Sequence, residues 1–159
     1  MKKNSSCHRT LNRKTDDFHD LSRVVSDMST VALRRISHCD DEHRLLIIDD
    51  DQIVLRALKH SLKRRVSGVY TATTDREACT LLNKHPINIV VSDYDLGSRK
   101  RNGVALLHAL KSEFPRIRRV ILYTGFDIRD IGNTSGIDAV LNKGTDLYKL
   151  RMLIQKPFD

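Results

Sequence analysis

From Arg44 onward, two hydrophobic patterns alternate along the chain. Short, continuous, β-prone apolar runs are followed by stretches in which apolar residues recur at helical spacing. Leu45-Leu46-Ile47-Ile48 is the first run and predicts a buried strand. Three acids end it, and Val54, Leu58 and Leu62 then mark a helical stripe. Gly68 breaks the chain before a second strand over residues 69–72. Thr74 and Glu77 have capping-box spacing and open a helix carrying Ala78, Leu81 and Leu82, which Pro86 stops. Residues 87–91 form the third apolar run. A polar loop from Gly97 to Gly103 leads into a helix through Leu106, Leu107, Leu110 and Phe114, ended by Pro115. Residues 120–123 and 139–141 predict strands four and five. Between them, residues 127–136 are weakly patterned and predict at most a short helix. Thr145 stands where it would cap a last helix bearing Leu147, Leu150 and Ile154.

Five strands alternating with helical segments predict an α/β fold, a doubly wound parallel sheet covered on both faces. Strands buried on both sides read as continuous apolar runs, as these do. In such a sheet the functional crevice lies beyond the carboxyl ends of the strands.

Four of the five strand ends carry polar groups of related chemistry. Strand one ends in Asp49-Asp50-Asp51, strand three in Ser92-Asp93-Tyr94-Asp95, strand four in Thr124-Gly125, and strand five in Asn142-Lys143-Gly144. Carboxylates converging at one sheet edge repel one another unless a cation neutralises them. All-oxygen ligation of that kind suits Mg²⁺ or Mn²⁺. A lysine there is a point charge suited to a phosphoryl oxygen, and a threonine hydroxyl can donate to another. Cation, ammonium and hydroxyl together stabilise a transferring phosphoryl group, and a neighbouring carboxylate can be its acceptor. Each residue alone has a bland reading: an Asp pair before a helix usually caps it, and a lone Lys after a strand is usually solvated. The combination carries the argument.

With these residues, the chain resembles the response-regulator receiver domain of two-component signalling systems. The resemblance runs from about Arg44 to the carboxyl terminus and implies a flavodoxin-like (βα)5 fold. The family's acidic pair matches Asp49 and Asp50 in LLIIDDD, and its phospho-accepting aspartate matches Asp93 in IVVSDYDLG. Its hydroxyl residue matches Thr124 in VILYTG, and its lysine matches Lys143 in AVLNKG. The resemblance implies that Asp50, Asp93 and the backbone carbonyl of Asp95 ligate Mg²⁺ or Mn²⁺, with Asp49 acting through water. It implies a phosphoprotein that catalyses only its own phosphoryl transfer and dephosphorylation. Its phosphodonor would be a sensor histidine kinase or a histidine phosphotransfer protein.

Three departures stand out. The family's lysine is usually followed by proline, often through a cis peptide; here Gly144 follows, and a cis bond before a non-proline residue costs about 2.5–4 kcal/mol, so this loop is expected to be trans. The family often has an aromatic switch residue three before the lysine; here it is Val140. The loop between Asp95 and Gly103 is longer and more basic than the family's usual turn. Phosphorylation should survive all three, while the route by which the signal leaves need not follow the family's common one.

Composition narrows the setting. Of 159 residues, 40% are hydrophobic and 30% charged, which fits a globular chain, and no apolar run is long enough to span a membrane. Cys7, Cys39 and Cys79 form an odd set without CxxC spacing, which points to a reducing, cytoplasmic compartment. The net charge of +8 falls mainly on residues 44–159. With no aromatic-interleaved basic motif, this reads as a scattered basic surface, and no nucleic-acid partner is expected.

Residues 1–43 read as an extension to the 44–159 receiver, partly disordered or with one short helix over about 21–36. Leu21, Val24, Val25, Met28, Val31, Ala32 and Ile36 recur there at helical spacing. The plain reading is a helix that packs locally or is partly ordered; the sharper one is a surface for a partner or for self-association. The Cys7-His8 and His38-Cys39 pairs, with His43, match no standard zinc spacing. The sequence ends one helix after Lys143, so no carboxyl-terminal output domain is expected and the signal should pass to a protein target. Two alternatives belong to other classes. Asp93 and Asp95 also fit the DxD pair of haloacid-dehalogenase-type phosphatases, though there the motif sits on an early strand with more chain following. The basic face would suit a nucleic-acid-binding adaptor.

Overall fold

The computed structural model describes residues 42–97 and 102–158. The amphipathic stretch 21–36 and the Cys7-His8 and His38-Cys39 pairs lie outside them. The elements are β1 (Arg44–Ile48), α1 (Gln52–Leu62), β2 (Gly68–Ala72), α2 (Asp75–Lys84), β3 (Ile89–Ser92), α3 (Gly103–Glu113), β4 (Arg119–Thr124), a 3₁₀ turn (Ile128–Asp130), β5 (Ala139–Asn142) and α4 (Leu147–Leu153). The strands form one parallel sheet in the order β2-β1-β3-β4-β5. The chain thus winds outward in both directions from β1 and β3, the doubly wound α/β architecture expected.

The period-two geometry of strands divides the apolar runs between two cores. Leu45, Ile47, Ile89, Val91, Ile121, Tyr123 and Leu141 face α1 and α4, where Leu55, Leu58, Leu62, Leu150 and Ile154 meet them. Leu46, Ile48, Ala72, Val90, Val120 and Leu122 face α2 and α3 and pack on Ala78, Leu82, Leu106, Leu107 and Leu110. β1, β3 and β4 are buried along nearly their whole length, which is why their sequences show no alternation.

Caps account for most boundaries. Asp51 is the N-cap of α1, its carboxylate accepting from Ile53 N at 2.7 Å. Thr74 caps α2 by accepting from Glu77 N at 3.2 Å. The Glu77 carboxylate reaches back one residue further than a capping box requires, to the amide and hydroxyl of Thr73 at 2.8 and 2.9 Å. Those bonds hold its carboxyl below the usual range.

Two expectations need correction. Thr145 does not cap the last helix: its amide closes a turn onto the Asn142 carbonyl, so the N-cap position falls to Asp146. The Asp146 carboxylate bonds back to Asn142 N at 3.0 Å instead of capping forward. Strand three begins at Ile89, not at residue 87, because the Ile87 amide turns back onto the His85 carbonyl. The weakly patterned 127–136 stretch holds a single 3₁₀ turn, so the connection after β4 contributes one buried side chain, Ile131. Among the described residues no helix is long and apolar enough to cross a membrane.

Candidate functional site

The sheet register brings the polar strand ends together. Ile48 pairs with Ser92, Ser92 with Leu122, and Thr124 with Asn142. Each adjoining polar residue therefore emerges at the same edge. Asp49 is held by its amide on the Ala72 carbonyl at 3.1 Å, and Asp93 by its amide on the Ile48 carbonyl at 2.9 Å. The Lys143 amide donates to the Thr124 carbonyl at 2.8 Å. The carboxylates and the ammonium thus hang from ladder-like main-chain bonds, not from a free loop.

Three carboxylates, Asp49, Asp50 and Asp93, each present an oxygen within 4.8 Å of the others. They differ in setting. Asp49 is 2% exposed; one oxygen accepts from Asp51 N at 3.0 Å and the other from Lys143 Nζ at 2.6 Å. Asp50 is exposed. Asp93 receives Tyr94 N on one oxygen at 2.7 Å and Lys143 Nζ on the other at 2.8 Å. Lys143 therefore bridges Asp49 and Asp93 from across the sheet.

Burial pushes the Asp49 carboxyl above its usual range, with the neighbouring Asp93 charge adding to the effect against the opposing pull of Lys143. Burial works against the Lys143 ammonium, but its bonds to Asp49 and Asp93 outweigh that and raise it. Three carboxylates against one ammonium leave an excess of two negative charges. That excess, on hard oxygen ligands and partly withdrawn from water, fits a divalent cation such as Mg²⁺ or Mn²⁺. Asp51, the third acid of the run, is excluded because its carboxylate is turned into the α1 cap.

The remaining expected residues flank this cluster. The turn after Asp93 passes close to Asp50: a Cβ on Gly97, which has φ +65°, would stand 3.0 Å from Asp50 Oδ2. Asp95 lies in that turn, its carboxylate accepting from Gly97 N at 3.0 Å. Thr124 is fully buried, and its hydroxyl oxygen accepts from Phe126 N at 3.1 Å, which leaves its proton to donate. No cis peptide occurs among the described residues, so the Lys143–Gly144 bond is trans as expected. Val140 is half-buried and packs beside the core facing α2 and α3.

Other contributors were not legible in the residue pattern. Gly103 lies under the main chain of Asp93, where a Cβ would stand 1.8 Å from the Asp93 carbonyl oxygen. Its only sequence signal was a glycine directly after a good N-cap residue, Asn102. Tyr94 and Phe126, the first residue after Asp93 and the second after Thr124, meet edge-on with ring centroids 5.4 Å apart. The Tyr123 hydroxyl, buried on the opposite face of β4, donates to the Lys143 carbonyl at 3.2 Å. Nothing in the spacing announces that bond.

A five-stranded parallel sheet with an acidic cluster and a bridging lysine at its carboxyl edge defines a signalling receiver module. The family comparison agrees: residues 45–155 match the response regulator receiver domain, and the chain belongs to that family. Among curated proteins it is similar to the alginate biosynthesis transcriptional regulatory protein AlgB of Pseudomonas putida, at 30% identity over 83 residues, and to AlgB of Pseudomonas syringae pv. tomato, at 28%. The matched stretch is 52% of this chain and 18% of each relative. Solved structures share the fold. A CheY-like receiver domain protein from Methanospirillum hungatei has a TM-score of 0.59 at 25% identity, with 71% of this chain and 94% of that one covered. A response regulator from Burkholderia pseudomallei, solved with a phosphorylated aspartic acid, calcium ion and citrate, has a TM-score of 0.62 at 24% identity, with 72% and 68% covered.

Proposed function

We propose that this receiver accepts a phosphoryl group on Asp93 in a cation-dependent reaction and passes the resulting change to a protein partner. The observation that carries the reading is the Lys143 ammonium seated between Asp49 and Asp93, at 2.6 and 2.8 Å. It has Asp50 completing the carboxylate cluster. The donor is a phosphohistidine on a sensor kinase or phosphotransfer protein. An Asp93 oxygen attacks phosphorus, the phosphorus–nitrogen bond breaks, and the imidazole leaves with the bonding pair and takes a proton. The product is an aspartyl phosphate.

Asp50 and Asp93 would hold Mg²⁺ or Mn²⁺ with the Asp95 carbonyl, while Asp49 would act through water. The cation, when bound, neutralises charge on the phosphoryl oxygens. Lys143 holds a second phosphoryl oxygen by charge, and the Thr124 proton is available to a third. The same arrangement supports slow self-dephosphorylation by water, without turnover of any other substrate. The phosphorylated aspartate and calcium described for the Burkholderia protein, which shares this fold, are consistent with this chemistry.

Intact mass after acetyl phosphate and Mg²⁺ should rise by one phosphoryl group, and Asp93→Asn should abolish the gain. Equal labelling of the Asn variant would overturn the assignment. Turnover of a small phosphate ester by the wild type would instead favour the phosphatase alternative built on Asp93 and Asp95. Capture of partners on the phosphorylated protein against an Asp93→Ala control would identify the output.

A further inference from the structure

We infer that Tyr123 is a positioning residue of this site, its hydroxyl holding the Lys143 main chain so that the ammonium spans Asp49 and Asp93. The inference rests on the reading of Lys143 as the phosphate-holding group. The problem it answers is set by the loop itself. Lys143 is followed by Gly144, which has no side chain to pack and imposes little of its own on the backbone. Yet the Lys143 Nζ must stay within hydrogen-bond reach of two carboxylates, since a displacement of about 1 Å at such a centre costs up to 10²-fold in rate.

The bonds that shape the loop are of two kinds. Asn142 Oδ1 accepts from Gly144 N at 2.8 Å, and the Asp146 carboxylate accepts from Asn142 N at 3.0 Å. These are local; they give the turn a shape but do not tie Lys143 to the sheet. Two others reach across from β4. The Lys143 amide donates to the Thr124 carbonyl at 2.8 Å, and the Tyr123 hydroxyl donates to the Lys143 carbonyl at 3.2 Å. The peptide groups on either side of the Lys143 Cα are thus held by consecutive residues of one strand. The first bond continues the ladder and needs no particular side chain. The second is available only to a residue that is long, rigid and hydroxyl-tipped. Tyr123 is that residue: it is 4% exposed, and its ring is fixed between β4 and the core facing α1 and α4.

A ring serving only as core filler would tolerate loss of the hydroxyl with no chemical consequence. The test is therefore Tyr123→Phe, in the full chain, alone and combined with Lys143→Ala. With acetyl phosphate at saturating Mg²⁺, Tyr123→Phe should slow labelling of Asp93 about five- to tenfold, the worth of one hydrogen bond expressed in rate. Mg²⁺ affinity should be unchanged, because the cation ligands lie on β1 and β3. In the Lys143→Ala background the same substitution should add nothing. A second readout needs no phosphorylation: the ¹⁵N signal of the Lys143 side-chain ammonium in the cation-free protein should shift and broaden in Tyr123→Phe. Wild-type rates in Tyr123→Phe, an equal slowing with and without Lys143, or an unaltered ammonium signal would each overturn the inference. Failure of the wild type to label at all would instead strike the reading of the site, with the ammonium signal still deciding the role of Tyr123.

Discussion

The two flanks of β3 are built differently. On one side β1 runs into α1 with every apolar position used: Leu45 to Ile48 are 0–1% exposed, with Leu55, Leu58 and Leu62 closing over Leu45 and Ile47, and Ala78 and Leu82 over Leu46 and Ile48. On the other side β4 is equally buried, but it leads into a connection in which residues 125–130 are all exposed and Ile131 alone is buried between Gly125 and Asp138. Asp49 and Asp50 of the acidic cluster hang from the first flank, and Asp93 from β3 itself. Thr124 stands at the edge of the second, its hydroxyl oxygen tied to the amide of Phe126. The difference suggests a division of labour. The clustered charges are mounted at the ends of packed strands, while Thr124, proposed above to hold a phosphoryl oxygen, is mounted where the chain can rearrange cheaply.

The largest effect that would break this comparison comes from two glycines. At Gly103 a Cβ would meet the Asp93 carbonyl at 1.8 Å, backbone against backbone, so α3 or the end of β3 must move. Gly103→Ala should cost about 3 kcal/mol or more, seen as a lowered urea midpoint. At Gly125 nothing lies within 4 Å, and Gly125→Ala should stay within about 0.5 kcal/mol of wild type. Equal costs at the two positions would mean that the connection after β4 is as tightly fitted as the end of β3.

A smaller effect separates the capping acid from the proposed ligand at β1's own terminus. Asp51→Ala removes the α1 cap and should cost about 1 kcal/mol, while keeping the thermal stabilisation conferred by added Mg²⁺. Asp50→Ala touches no cap and should cost little without cation, but lose the Mg²⁺ response. Loss of the response in Asp51→Ala alone would place the ligand one residue further along the chain.

The same contrast explains what could be read from the sequence. Continuous apolar runs mark β1, β3 and β4, which are buried on both faces, and shorter β-prone runs mark the half-buried β2 and β5, so all five strands and the edge carrying Asp49, Asp93, Thr124 and Lys143 were legible. Ends were less so, because they depend on single bonds: the turn closed by the Thr145 amide moved the last N-cap to Asp146. Side chains acting across the sheet left no periodic trace. Tyr123 reads as an ordinary core aromatic. Arg119 reads as a surface cation, yet it is 8% exposed and donates to the carbonyls of Leu153, Lys156 and Pro157, at the end of α4 and just beyond it. Neither role is visible until the partner element is in place. Val140 showed in the sequence that the ring usual in the family is missing, but nothing in the pattern pointed to the contact of Tyr94 with Phe126.

The smallest expected effect tests where the phosphate is sensed. The Thr124 oxygen accepts from Phe126 N, and its proton is free to turn toward a phosphoryl oxygen. One hydroxyl can do both at once, and donating strengthens it as an acceptor. Phosphorylation, or a beryllofluoride mimic, should therefore tighten the Phe126 bond and order the connection behind it. The gain is on the scale of one hydrogen bond, about 1 kcal/mol, so amide exchange over residues 126–136 should slow by up to about tenfold. Val140 and α4 should change less, since valine has no ring to swing behind Thr124. Phe126, 48% exposed and edge-on to Tyr94, should become the most altered side chain near the site, because its own amide bears the strengthened bond. Unchanged exchange over 126–136, with protection at Val140 and α4 instead, would show that the domain switches through the family's usual face without an aromatic there. In that case the loosely packed connection would be only a lightly built link between two strands.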